Sequence, residues 1–266
     1  LAAGVCYNIR YYPLCLEIKH RLAEGLLGPI YHITGSYTQD WLLFDTDYNW
    51  RVEADKAGPL RAVADIGTHW MDLITFVTGL QIESVCADLQ TFLPTRQRPP
   101  AGVETFAGKQ QTPALTEPIS VTTEDYGSVL LHFQGGARGE FTVSQVNAGR
   151  KNRLTFEIAG ARGALAWDSE RPEELWFGQR DRANQLLLRD PALMHESARA
   201  FTNYPGGHAE GYPDTFKQLF RSFYDYIARG DHRASRPFPT FADGHREVLL
   251  CEAILKSHQE RRWVNL

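Results

Sequence analysis

The sequence has few cysteines, and none of them is arranged for metal binding or redox chemistry. There are four in 266 residues, no two of them form a Cys-x-x-Cys pair, and each has apolar neighbours. This pattern predicts buried, reduced thiols, as in a cytosolic protein, and argues against a disulfide-stapled secreted domain. The four residues are Cys6, Cys15, Cys86 and Cys251.

Long hydrophobic runs and clusters of basic residues are also missing. The longest apolar runs are too short and too interrupted to cross a bilayer, and no succession typical of a signal peptide opens the chain. The net charge is −4, and basic residues are scattered, which argues against a nucleic-acid surface. We therefore expect a cytoplasmic globular protein without a membrane or nucleic-acid partner.

The glycine fingerprint of a nucleotide-binding domain is a third absence. No Gly-x-Gly-x-x-Gly follows a predicted strand, and there is no phosphate loop. The segments "GGARG" and "PGGHAEG" do not lie between a strand and a helix, where a pyrophosphate would be bound. The chain begins at Leu1 without a methionine, so we expect a piece of a longer protein or a processed one.

What is present is a series of periodic segments in an irregular order. Strands are predicted at 5–10, 29–41, 81–93 and 263–266, with a meander at 121–134, 137–147, 153–159 and 163–168. Helices are predicted at 12–28, 66–78, 214–230 and 243–262, with a long loop at 94–120 and irregular structure at 178–211. This order predicts one α+β domain over residues 1–266, with a large open, mainly antiparallel sheet and helices packed on one face. The helix at 214–230 should present an apolar face of Phe216, Leu219, Phe220, Phe223 and Ile227.

Two groups that can move protons open the otherwise apolar helix in "ADIGTHWMD". Asp65 and His69 stand four residues apart, so one α-helical turn would bring them onto a common face, where a carboxylate can orient an imidazole as a proton relay. Two alternatives stay open. Asp65 can be a helix cap beside a partly buried histidine, or Asp65, His69 and Asp72 can bind a metal.

Aromatic and amide side chains mark the segment "YTQDWLLFDTDYNWR". On a strand, Tyr37, Gln39 and Trp41 point the same way. Aromatic rings cover the C–H faces of a sugar or cyclitol, and amide groups bind its hydroxyls. The alternative is an ordinary sheet surface with a half-buried tryptophan.

Two further segments combine glycine with charged or titratable residues. In "YPGGHAEGY", His208 would be held among Tyr204, Glu210 and Tyr212, or it lies on an exposed glycine-rich turn. In "AGRKNRL", the basic residues at 150, 151 and 153 are typical of a solvated turn.

Five segments in order along the whole chain resemble a known family. They are "YNIRYYP", "EGLLGPI", "DIGTHWMD", "GRKNRLTFEIAGARGAL" and "PGGHAEGYPDTFKQL". Together they resemble the C-terminal domain of the Gfo/Idh/MocA oxidoreductases, relatives of glucose–fructose oxidoreductase and inositol 2-dehydrogenase. The resemblance implies an N-terminal Rossmann domain, not contained in this sequence, that binds NAD or NADP. It also implies that this α+β domain carries the substrate site and the surface of a homo-oligomer.

The resemblance also assigns roles to residues. The family's Asp-x-x-x-His motif falls on Asp65 and His69, which implies that His69 takes the proton from a sugar or polyol hydroxyl during hydride transfer and that Asp65 assists it. The strand from Ile30 implies substrate contacts at Tyr37 and Gln39, followed by Trp41, Arg51 and His208.

The match is not complete. The strand and the "DYNWR" loop differ from those of inositol dehydrogenase, and the family's Glu-Lys-Pro motif is not in this sequence. A non-catalytic carbohydrate-binding module, an assembly module and a metal-dependent hydrolase remain as alternatives.

Overall fold

A nine-stranded sheet forms the centre of the protein, in a computed structural model that describes residues 1–100 and 115–266. The strand order is β10-β9-β8-β7-β1-β6-β5-β2-β11, and β3 and β4 form a separate pair. The strands are β1 Ile30–Thr38, β2 Ile82–Gln90, β3 Thr95–Arg98, β4 Glu117–Ser120, β5 Tyr126–Phe133, β6 Arg138–Ser144, β7 Arg153–Gly160, β8 Gly163–Asp168, β9 Glu174–Gly178, β10 Gln185–Leu188 and β11 Val264–Asn265.

Six α-helices accompany the sheet in the described chain: α1 Pro13–Ala23, α2 Ala54–Ala57, α3 Thr68–Thr78, α4 Glu196–Arg199, α5 Tyr212–Arg229 and α6 Phe241–Glu260. A π-helical turn, Val63–Gly67, leads directly into α3. Pro13 begins α1, and Gly79 ends α3 with a φ of 74°, as their positions in the sequence predicted. Within the described residues, none of these helices has the length and hydropathy to cross a membrane.

The α+β architecture is confirmed, and alternate residues of the strands separate its two faces. On β1, Ile33 and Tyr37 are buried on the helix-covered side, whereas Thr34 and Ser36 are only partly buried. Among the described ladders of this sheet only β1 with β6 is parallel, so the sheet is mixed but mainly antiparallel. We call the side of Thr34 and Ser36 the open face.

The predicted meander is interrupted, because β1 lies between β6 and β7. Gly35 makes this position possible for β1. A Cβ on Gly35 would lie 2.5 Å from the indole nitrogen of Trp70 and 2.3 Å from the carbonyl oxygen of Thr155. The indole of Trp70 instead donates to that carbonyl at 3.0 Å, so α3 packs directly on the middle of the sheet.

Several local predictions were wrong. Residues 5–10 form no strand; Asn8–Tyr11 is a 3₁₀ helix, because Pro13 starts α1 at once and Tyr11 packs in a cluster with Leu219. The segment 94–120 contains the paired strands β3 and β4, while its residues 101–114 lie outside the described part of the chain. The irregular region at 178–211 includes β10. Of the cysteines, Cys15 is buried but Cys6 is exposed.

The helix α5 buries a different face from the predicted one. Phe220 is 51% exposed and Ile227 is 40% exposed. The buried residues of this helix are mostly polar or small: Thr215, Gln218, Leu219, Ser222 and Tyr226. Two of them have partners from other parts of the chain, since Asn8 donates to Thr215 and Gln218 donates to the carbonyl of Phe201. The buried hydroxyl of Tyr226 has no hydrogen-bond partner among the described residues.

Candidate active site

His69 lies in the first turn of α3 with its ring among tyrosines. The ring of Tyr7 meets it edge-on at 5.4 Å between centroids, and the ring of Tyr37 at 6.5 Å. Nδ1 is buried and has no hydrogen-bond partner among the described residues, although the residue as a whole is partly exposed. Burial lowers the pKa of His69 to about 4. The imidazole is therefore neutral at pH 7 and able to accept a proton.

Asp65 is held by side chains other than His69. It lies in the π-helical turn directly before α3, and its hydrogen bond and its ion pair go to side chains outside this turn. Its carboxylate accepts a hydrogen bond from Gln145 Nε2 at 2.8 Å and faces Arg51 Nε at 3.3 Å. Burial raises the pKa of Asp65, while Arg51 and Gln145 oppose that rise.

The start of the π-helical turn is anchored by a buried carboxylate that sequence reasoning missed. Glu124 accepts hydrogen bonds from the backbone N–H groups of Arg61 and Val63, at 2.9 and 2.8 Å. The guanidinium of Arg61 is buried against Asp125. The adjacent acidic pair in "TTEDYG", just before the apolar strand β5, was the available signal.

Asp72, the third member of the metal alternative, is taken by an ion pair. Arg10 Nε and Nη2 donate to its two carboxylate oxygens at 2.8 and 2.5 Å, and Arg10 also reaches Asp243 at 2.9 Å. Burial raises the pKa of Asp72 to about 6 against the opposing pull of Arg10. No group of three His, Cys, Asp or Glu side chains arranged for a metal occurs in residues 1–100 and 115–266. The triad of Asp65, His69 and Asp72 is therefore not assembled.

A hydrogen-bonded network joins the end of β1 to the loop before β7. Asn152 Oδ1 accepts from the hydroxyl of Tyr37 at 2.8 Å and from Gln39 Nε2 at 2.7 Å. The indole N–H of Trp41 donates to Gln39 Oε1 at 2.8 Å. Asn152 belongs to "GRKNRL", a segment that was interpreted as a solvated turn, so sequence reasoning missed it.

The two remaining predicted residues differ in their placement. Arg51 joins the site through Asp65, and its guanidinium lies over the ring of Trp50 at 4.7 Å. His208 is engaged through its backbone carbonyl, which accepts from Arg189. Glu210 pairs with Arg189 and accepts from Asn203, so the predicted grip of Glu210 on the His208 side chain is wrong.

The site thus contains a neutral imidazole beside a tyrosine–amide network and a carboxylate–guanidinium pair. Such groups can accept a proton from a hydroxyl and bind neighbouring hydroxyls.

Comparisons with known proteins identify the family and the relatives of this chain. The model of the GFO/IDH/MocA C-terminal domain matches residues 15–166. Levoglucosan dehydrogenase of Pseudarthrobacter phenanthrenivorans is 29% identical over 268 residues, which is 98% of this chain and 66% of that protein.

Two solved structures have the same fold. A levoglucosan dehydrogenase in complex with NADH and levoglucosan superposes with a TM-score of 0.83 and 27% identity, covering 100% of this chain and 66% of that one. An inositol dehydrogenase homologue from Azotobacter vinelandii in complex with NAD+ has a TM-score of 0.82 and 25% identity, covering 99% and 64%. The chain thus spans somewhat less than two thirds of the length of these relatives. Because the family model matches more than half of the chain, the protein belongs to the GFO/IDH/MocA family through its C-terminal domain.

Proposed function

We propose that this chain is the substrate-binding part of an oxidoreductase that moves hydride between a secondary hydroxyl of a sugar or polyol and NAD or NADP. The neutral imidazole of His69 carries this proposal. Relatives that act on levoglucosan or D-xylose, at 29% and 23% identity, support the substrate class.

In the proposed reaction, His69 accepts the proton of the substrate hydroxyl as the carbon loses hydride. The lowered pKa leaves this base unprotonated before the reaction begins, but it also makes the ring a weaker proton acceptor than a free imidazole. Asp65 assists by favouring the positive charge that develops on the imidazole. Arg51 and Gln145 keep this carboxylate in place and favour its charged form.

A nicotinamide cofactor supplies the hydride acceptor when it is bound. The described residues fit such a partner in one respect: the His69 side chain is neutral at pH 7 and partly exposed. We propose that the cofactor is bound mainly by an N-terminal domain outside this sequence, so no residue here is assigned to the dinucleotide.

Tyr37, Gln39 and Trp41 are proposed to contact the substrate, together with Arg51. Tyr37 lies beside the His69 ring and is joined to Gln39 and Trp41 through Asn152, while Arg51 pairs with Asp65. His208 is proposed as a further contact, and its loop is held at the backbone by Arg189. The cytoplasmic location stays a prediction.

The test is replacement of the proposed base in the full-length protein. With NAD+ or NADP+ and either levoglucosan or D-xylose, His69→Gln should lower kcat by about 10²–10⁴-fold while sugar binding is kept. His132→Gln, on the sheet away from α3, is the matched control. Undiminished turnover in His69→Gln would contradict the proposal, and sugar binding without any turnover in the wild type would favour a carbohydrate-binding module.

A further inference from the structure

The indole of Trp41 fixes the direction of every hydrogen bond in the network on β1. An indole N–H can only donate, so the Gln39 atom 2.8 Å from it must be the carbonyl oxygen. The amide group of Gln39 therefore points its nitrogen the other way, towards Asn152. Without Trp41, the two ends of this amide could exchange places.

The orientation of Gln39 in turn fixes the roles of Asn152 and Tyr37 as acceptor and donor. Gln39 Nε2 lies 2.7 Å from Asn152 and needs an acceptor, so Asn152 presents its carbonyl oxygen there. That oxygen also lies 2.8 Å from the hydroxyl of Tyr37. A carbonyl oxygen has no hydrogen to give, so Tyr37 must be the donor. Burial raises the pKa of Tyr37, which keeps this phenolic proton in place.

Two groups are then left with defined roles. The hydroxyl of Tyr37 donates its only hydrogen to Asn152 Oδ1, so its oxygen can act towards a ligand only as an acceptor. Asn152 Nδ2 takes part in neither bond and remains a donor. Tyr37 is buried, whereas Asn152 is exposed, and Gln39 and Trp41 are partly exposed. The network therefore runs from the side of the His69 ring to the protein surface.

We propose that this network gives the substrate site a fixed polarity, an acceptor on Tyr37 beside a donor on Asn152, and that it binds two neighbouring hydroxyl groups of the substrate. One hydroxyl donates to Tyr37, and its neighbour accepts from Asn152 Nδ2. Trp41 is the positioning residue that sets this polarity through Gln39. The proposal rests on the proposed function and narrows its substrate class to vicinal diols.

Fluorinated sugars test the polarity directly, because fluorine can weakly accept a hydrogen bond and cannot donate one. The full-length protein is assayed with levoglucosan and D-xylose and with their monodeoxy and monodeoxyfluoro derivatives. At the hydroxyl bound by Tyr37, fluorine should lower kcat/KM as much as deoxygenation does, by about tenfold for one hydrogen bond. At the neighbouring hydroxyl, the fluoro derivative should have a higher kcat/KM than the deoxy derivative, because fluorine can still accept a hydrogen bond from Asn152 Nδ2.

Two variants separate polarity from simple contact. Trp41→Phe keeps an aromatic ring but removes the N–H, so the difference between the two positions should disappear. Asn152→Asp keeps an acceptor for Tyr37 and Gln39 but removes the donor, so only the fluorine benefit at the second position should be lost. Trp263→Phe, at the far end of the sheet, should change neither pattern. Equal fluorine responses in the wild type, or an unchanged difference in Trp41→Phe, would overturn the proposal.

A measurement without turnover keeps the network testable if the proposed function fails. In ¹⁵N-labelled full-length protein, the indole proton of Trp41 should resonate downfield, move upfield in Gln39→Leu and stay downfield in Gln39→Glu, which keeps an acceptor. Absence of turnover with every sugar would reject the proposed function alone. If the chemical shift of the Trp41 indole proton is the same in Gln39→Leu as in the wild type, the proposed polarity of the network is rejected, whether or not the protein turns over a sugar.

Discussion

At the scale of the residue, the surroundings of His69 change the acid–base chemistry of its ring. Nδ1 lies buried among aromatic rings, with no hydrogen-bond partner in the described chain, so removal of the ring from water disfavours its protonated form. The pKa falls to about 4 for this reason. A histidine with this pKa is already neutral at pH 7, as the proposed role of a base requires.

This lowered pKa predicts a pH dependence of stability. Between the unfolded value near 6.5 and the folded value of about 4, the unfolded chain binds the proton and the folded chain does not. The contribution of His69 is therefore complete above pH 6.5 and is lost as pH falls towards 4, by up to about 3 kcal/mol. Urea unfolding of wild type and His69→Gln across this range measures the difference.

The comparison with His69→Gln is needed because Asp72 titrates in the same range. Its folded pKa of about 6 lies above the unfolded value, so the stability change from Asp72 has the opposite sign. A difference between wild type and variant that does not change with pH would show that His69 is not desolvated.

At the scale of the element, the contact between β1 and α3 holds the candidate base against the sheet. Gly35 has no side chain where the indole of Trp70 and the carbonyl of Thr155 meet. A second glycine, Gly67, lies at the end of the π-helical turn, where a Cβ would meet its nearest neighbours at 3.4 Å, an ordinary contact. An added Cβ therefore clashes with its neighbours at position 35 and fits among them at position 67.

We predict that Gly35→Ala destabilises the protein by about 1–3 kcal/mol, because α3 must move away from the sheet. Gly67→Ala should be neutral or stabilise by up to about 1 kcal/mol, because it removes a glycine from a helical segment. Denaturant unfolding of the two variants checks this. Equal losses in both would mean that the close approach at Gly35 is not what limits the packing.

At the scale of the whole molecule, the open face is the large surface that lacks helices in the described chain. Its central positions carry mostly small side chains that are only partly exposed: Thr34, Ser36, Thr142, Thr155, Ala164 and Ala166. Two exposed carboxylates, Glu140 and Glu157, lie opposite Thr34 on the same face. A surface whose side chains are mostly small can come close to an identical surface across a two-fold axis. This supports the proposal of a homo-oligomer formed through the open sheet.

Ala166→Arg should break such an assembly, because a long charged side chain would project from the open face between Glu157 and Trp176. Sedimentation velocity of the full-length protein should show a shift to a smaller species. Ala200→Arg, which makes the same change at an exposed helix end, is the control. An unchanged sedimentation coefficient in Ala166→Arg would place any oligomer contact elsewhere.

The division between substrate and cofactor parts gives a further prediction. These 266 residues alone should show no dehydrogenase activity, since holding donor and acceptor in line can supply roughly 7–11 kcal/mol of the barrier and needs the cofactor domain. Calorimetry should find no tight binding of NAD+ or NADP+. Micromolar affinity for either would contradict the proposed division.

The sequence by itself determined the elements that depend on local periodicity and on glycine and proline. Pro13 at the start of α1, Gly79 at the end of α3 and the apolar alternation of β1 act within one or two turns of the chain, so they can be predicted without a fold. The pair Asp65 and His69 could be found in the same way.

Only the tertiary structure decided where β1 inserts in the sheet and which side chains meet at the site. Tyr37 and Asn152 are 115 residues apart, and Asp65 and Gln145 are 80 apart. Such pairs form because strand order brings them together, and strand order follows from the packing of the whole core. A local sequence pattern does not depend on that packing, so it could not identify Asn152, Gln145 and Glu124 as residues of the site.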